Sequence, residues 1–187
     1  MTEETIYDKS VIEFVAVAVK FCTILENDEQ LKRTEWVDKM IKILPLLYIK
    51  ASLLPETLNL LEETSEIFVR EEDYARVESR VAAIMAEEDV YLDVFVDEMK
   101  YSDRPISAFV SECIADIYQD VRNFVSVYQF ELTNQMNEAL FICKENFESY
   151  WGQKLVNVLR PLHALKYRDV LDITGDEDEL NMEELWD

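Results

Sequence analysis

The feature that most limits this chain is its shortage of turn-forming residues: two glycines and four prolines in 187 residues. A many-stranded sheet needs a tight turn at each hairpin, and such turns draw on glycine and proline for their backbone angles. Helices need far fewer. The apolar residues agree, because Tyr7, Val11, Phe14, Ala18, Phe21 and Leu25 alternate steps of four and three, with Val15, Val19 and Cys22 widening the stripe. This pattern predicts a helix at the centre of the fold.

After the break at "ENDEQLKR", Thr34 reads as the cap of a second helix with Val37, Met40 or Ile41, Leu44, Tyr48 and Ala51 on one face. Pro45 removes the hydrogen bond to the Ile41 carbonyl, so a kink or break is expected near Lys42 to Leu44. "EEDYARVESRVAAIMAEE" predicts a third helix, with Tyr74, Val77, Val81 and Ile84 inward and Glu72, Arg76 and Arg80 paired on a solvated face. "DVYLDVFVDEMKYSDRP" mixes strand-like alternation with the helical spacing of Asp89, Asp93 and Asp97, and reads as irregular. Ser107 then caps a helix striped by Val110, Cys113, Ile117, Val121, Phe124 and Tyr128, and a further helical pattern covers about 131–168.

The expected fold class is all-α, a single-domain helical bundle of about five to seven helices over residues 1–170. A chain of this size buries roughly 70% of its unfolded surface, so one core suffices. The remainder, 171–187, reads as an acidic C-terminal tail, because "DITGDEDELNMEELWD" carries eight acids and no base.

Eighteen basic against 40 acidic residues leave a formal net charge of -22, which opposes nucleic-acid phosphates and anionic lipid alike. Neither nucleic acid nor membrane is expected as a partner. The N-terminus is acidic where a signal peptide would be basic, and "VIEFVAVAVKFCTIL" is short for a membrane span and interrupted by Glu13 and Lys20. Cys22, Cys113 and Cys143 are odd in number, form no CxxC pair and fall on apolar faces, which suits buried thiols in a reducing cytoplasm.

Glu112, Asp116 and Asp120 recur at intervals of four and make a carboxylate ladder, the arrangement a divalent cation held between helices would need. Glu145 and Glu148 form an ExxE pair that would have to face the ladder for metal-dependent hydrolysis, yet the sequence does not make a convincing match to the paired ExxE and ExxD motifs on neighbouring helices of the all-helical nucleotide pyrophosphohydrolases. The alternative is a solvated helix face whose repulsion Arg122 offsets. One histidine cannot supply the two Glu-x-x-His motifs of a di-iron bundle, and the glycines form no phosphate loop. Asp172, Thr174, Asp176, Asp178 and Glu183 have the spacing of a calcium loop, but Glu177 stands where its turn glycine belongs. No cofactor is expected. The sequence favours a non-enzymatic cytoplasmic protein-interaction domain, binding another protein or a second copy, with a divalent-metal-dependent hydrolase using the ladder as the alternative.

In "YWGQKLVNVLRPLH", Trp151, Leu155, Val158, Leu162 and Leu165 form an apolar stripe, with Gly152, Val156, Leu159 and His163 on its flank. A mid-helix glycine costs about 1 kcal/mol relative to alanine, so a neighbouring group is expected to come close at Gly152. His163 reads as a satisfied histidine at the core edge. This stretch, "DIYQDVRNF" at 116–124 and "LLYIKASLLP" at 46–55 together resemble a bacterial family of unknown function, domain of unknown function 5063, over about residues 7–168. The resemblance rests most on the Trp151-Gly152 pair followed by His163, and extends to Asp116, Tyr118, Asp120, Leu159 and Leu162. It implies an all-helical bacterial cytoplasmic protein and carries no activity. Family members often have histidines where this chain has Tyr150 and Lys154, so any metal or acid-base site they supplied would be lost here.

Overall fold

A computed structural model describes residues 5–27, 31–57, 67–93, 106–130 and 133–183, with side chains of the last run described over 135–168. Among the described residues five helical rods carry the fold: α1 (Lys9–Glu26), α2 (Arg33–Ser52), α3 (Glu71–Met85), α4 (Val110–Gln129), and a fifth in which α5 (Thr133–Asn146), a π-helical turn (Phe147–Trp151) and α6 (Gly152–Glu183) run end to end. A 3-10 turn (Ala86–Asp89) and a short antiparallel pair, β1 (Val90–Leu92) and β2 (Ser107–Phe109), link α3 to α4. The fold is all-α, as its turn-poor composition requires.

The centre is α4, not α1. It packs against α1, α3, α5 and α6, and buries Ile114, Ala115, Tyr118 and Val125 in addition to the predicted stripe. A helix covered on several sides must be apolar around most of its circumference, and only the edge carrying Glu112, Asp116, Gln119, Asp120 and Asn123 is not. The α1 stripe is buried from Val11 to Leu25, while Tyr7 is exposed.

Two helix starts differ from expectation, one through a local cap and one through a distant group. Lys32, not Thr34, is the N-cap of α2, and the Glu35 carboxylate reaches back to its backbone N–H. Pro45 lies inside a continuous α2 and does not end it. Ser107 belongs to β2, and α4 starts after Phe109. The cap comes from Asp89, whose carboxylate accepts the Ser111 N–H at 2.8 Å and the Ser111 hydroxyl at 2.7 Å. A buried anion at a helix N-terminus is well placed against the exposed N–H groups and the helix dipole.

The stretch read as irregular contains β1, with Tyr91 opposite Ala108 and Leu92 opposite Ser107. Three-residue strands give too short an alternation to be told from helix by sequence. The 170/171 boundary falls inside α6, which continues to Glu183; the side chains of the acidic stretch lie outside the described residues. No helix among the described residues is long and apolar enough to cross a membrane.

Candidate functional site

The polar edge of α4 meets α3 and the π turn with α6, and the ladder residues take separate partners there. Asp116 accepts the Tyr74 hydroxyl at 3.0 Å on Oδ1 and the Lys154 ammonium at 2.6 Å on Oδ2. Asp120 accepts the Asn146 amide at 2.6 Å. Glu112 is exposed. Among the described residues no three His, Cys, Asp or Glu side chains come together as a set able to hold a metal ion. Glu145 and Glu148 are exposed, and Glu148 lies beside Lys144 at 3.8 Å. The cation offsetting the ladder is therefore Lys154 from α6. Arg122 is engaged elsewhere, its Nε 2.7 Å from Glu26 and its Nη1 donating to Gln129 at 3.1 Å.

Around Lys154 the network continues. Its ammonium stands 4.9 Å from the centroid of the Tyr150 ring, within cation–π range. Burial opposes the charge on Lys154, but the hydrogen bond and the attraction of Asp116 prevail and hold its pKa above the ordinary value. Burial and the Asp116 charge push the Tyr74 hydroxyl up. Asp120 is raised chiefly by burial, against the lowering effect of Asn146. Next to this group the Tyr91 hydroxyl lies 3.2 Å from Cys113 Sγ, and Asn157 donates to Asp93 at 2.8 Å. Burial raises Cys113 and, foremost again, drives Cys22 to about 12. All three cysteines are free and buried, and thiols so protonated are poor nucleophiles.

The π turn accounts for the Trp151-Gly152 pair that stood out in the sequence. A Cβ on Gly152 would stand 2.3 Å from the Phe147 carbonyl oxygen and 2.9 Å from its ring, closer than any side chain tolerates. The close neighbour expected at this glycine is thus its own preceding turn. Trp151 is fully buried, its indole N–H donates to the Cys143 carbonyl at 3.0 Å, and its ring packs 4.8 Å from Phe147. Single π turns recur at functional sites, and this one aims Tyr150 toward Asp116 and Lys154. His163 is exposed, with its ring 4.8 Å from Tyr167, so it sits further out than the core edge.

Fold and site together define a class: an all-α bundle built around a buried central helix whose polar edge is met by one ion pair and side-chain hydrogen bonds from neighbouring helices. The chain matches the family described as Domain of unknown function (DUF5063) over residues 5–168, and it belongs to that family. It is similar to the crystal structure of protein BF1032 from Bacteroides fragilis, at 47% identity and a TM-score of 0.77, over 87% of this chain and 96% of that one. No curated protein matches the chain.

Proposed function

We propose that this is a non-enzymatic protein-interaction domain of the cytoplasm, and that its docking face is the outer stripe of α2. The observation that carries the reading is a run of outward residues at four- and three-residue steps: Lys39 and Lys42, then Leu46, Ile49 and Leu53, which are 47%, 51% and 58% exposed. Isolated exposed apolar residues are ordinary, but Leu46 and Ile49 on the helix face, continued by Leu53 at the C-cap, form the kind of pattern by which a helix is laid alongside another. In a chain of net charge -22, α2 carries four basic residues against Glu35 and Asp38. Arg33, Lys42 and Lys50 are paired with Glu87, Asp38 and Glu13, so exposed Lys39 at the head of the stripe is the group that favours an acidic flank on an amphipathic partner helix. Three buried free thiols support a reducing compartment.

A photo-crosslinking residue placed at Ile49 tests the reading in the source organism, with Lys20 on α1 as the control position. A discrete crosslinked product is expected from position 49 alone, and is lost when Leu46→Glu and Leu53→Glu are added. Equal products from both positions, or none from position 49, would overturn it. A product of twice the chain mass identifies a second copy as the partner.

A further inference from the structure

A cleft of about 550 Å³ opens between the C-terminal end of α1, the segment before α3, and α4. Its volume falls within the roughly 300–1,000 Å³ of small-molecule sites. The cleft is open to solvent and its lining is more polar than apolar, with one aromatic side. Phe68 and Phe130 are stacked with centroids 5.7 Å apart at 25°, and Phe130 is 66% exposed, presenting ring surface to solvent. The Phe68 side is fixed, because the side-chain amide oxygen Oδ1 of Asn123 accepts the backbone N–H groups of Phe68 and Val69 at 2.9 and 2.8 Å.

The polar side of the cleft is built from two guanidinium groups. Arg122 is locked by Glu26, which also accepts the Tyr118 hydroxyl at 2.8 Å. Arg76 is tethered to Asp73 through Nη2 at 3.0 Å. A guanidinium has five N–H donors, and these bonds leave several on each group for a ligand. Glu26 and Asp73 balance the two arginines, so the cleft is locally neutral in a chain of net charge -22. Each guanidinium is already paired with an acid, so a ligand is held by the remaining N–H donors and not by net charge, and one carboxylate is repelled less by Glu26 and Asp73 than a doubly charged phosphate would be.

We propose that this cleft binds a planar aromatic ring bearing one carboxylate. The ring lies on the exposed face of Phe130 and the carboxylate accepts hydrogen bonds from Arg76 and Arg122, a pairing whose planar fork geometry favours carboxylates.

The probe is 2-naphthoate, with acetate and 2-naphthalenemethanol as controls, titrated into the full chain by calorimetry and saturation-transfer NMR. 2-Naphthoate is expected to bind at least about tenfold more tightly than either control. Phe130→Ala and Arg76→Gln, both at exposed positions, are each expected to weaken it about fivefold or more while the chain keeps a cooperative thermal melt. Absence of binding up to the solubility limit would overturn the proposal. So would binding that both variants retain, or acetate binding as tightly as 2-naphthoate.

Discussion

Lys154 on α6 and Asp116 on α4 meet with 2.6 Å between Nζ and Oδ2, and the Tyr74 hydroxyl from α3 takes the other carboxylate oxygen. Three helices are joined at one carboxylate that is only 13% exposed. Lys154→Met keeps much of the stem's packing but leaves Asp116 without its counter-charge, so a loss of about 2–3 kcal/mol is expected in urea unfolding. Adding Asp116→Asn should restore most of it. Equal losses in the single and double variants would show that the pair contributes little.

The same geometry explains what a pair of imidazoles would do here. Tyr150 and Lys154 both lie against Asp116. Tyr150→His combined with Lys154→His places two imidazoles beside a freed carboxylate, three ligands with one position open, which suits zinc. The double variant is expected to gain about 3 kcal/mol of stability at a hundredfold excess of zinc over its Kd. The unaltered chain should show no melting shift with magnesium, manganese or calcium, since the ammonium already neutralises Asp116. A folded double variant indifferent to zinc would count against this geometry.

Gly152→Ala sets two effects in opposition. Helix propensity favours alanine by about 1 kcal/mol, but its methyl group would fall 2.3 Å from the Phe147 carbonyl oxygen. The clash involves backbone and cannot be relieved by a rotamer change, so a net loss of about 2 kcal/mol is expected in thermal unfolding. A more stable variant would mean that the π turn is not kept.

Ala86 ends α3 with φ 51 and ψ -121, a conformation in which its Cβ is crowded and glycine is not. Ala86→Gly is expected to raise stability by about 1 kcal/mol. The comparison needs only equilibrium denaturation of the two chains, and a loss would contradict the strain.

Two aspartates give opposite pH dependences. Burial raises Asp120 above the ordinary 3.8, so the stability it contributes is complete below 3.8 and is lost as pH rises through its folded value. Asp120→Asn should therefore stabilise the protein at neutral pH and lose that advantage in acid. Asp38 is held at about 2 by hydrogen bonds from Lys166 and Lys42, so its contribution is present above 3.8 and disappears as pH falls toward 2. Asp38→Asn should be the less stable chain at neutral pH and indistinguishable in strong acid. Denaturation midpoints at several pH values check both signs.

The buried stripes of α1, α4 and α6 were legible because helical period alone places Phe14, Ile117 and Leu155 on apolar faces. The rank of the helices was not. Periodicity reports one preferred face, and the burial of Ile114, Ala115 and Val125 behind the α4 stripe depends on which neighbours arrive. The polar site was legible as a ladder on one helix but not as a set of partners. Arg122, close in sequence to Asp120, turns away to Glu26, and the cation that reaches Asp116 comes from Lys154, far along the chain.

Sequence by itself determined the all-helical class, the apolar faces, the buried thiols and the special character of the Trp151-Gly152 turn, because each follows from local backbone preference and periodic burial. Tertiary structure alone decided that α4 is central, that Asp89 caps it, and that Lys154 closes the carboxylate ladder. Those outcomes rest on register between helices distant in the chain, where ångström differences in approach select the partner and no local pattern encodes the distance.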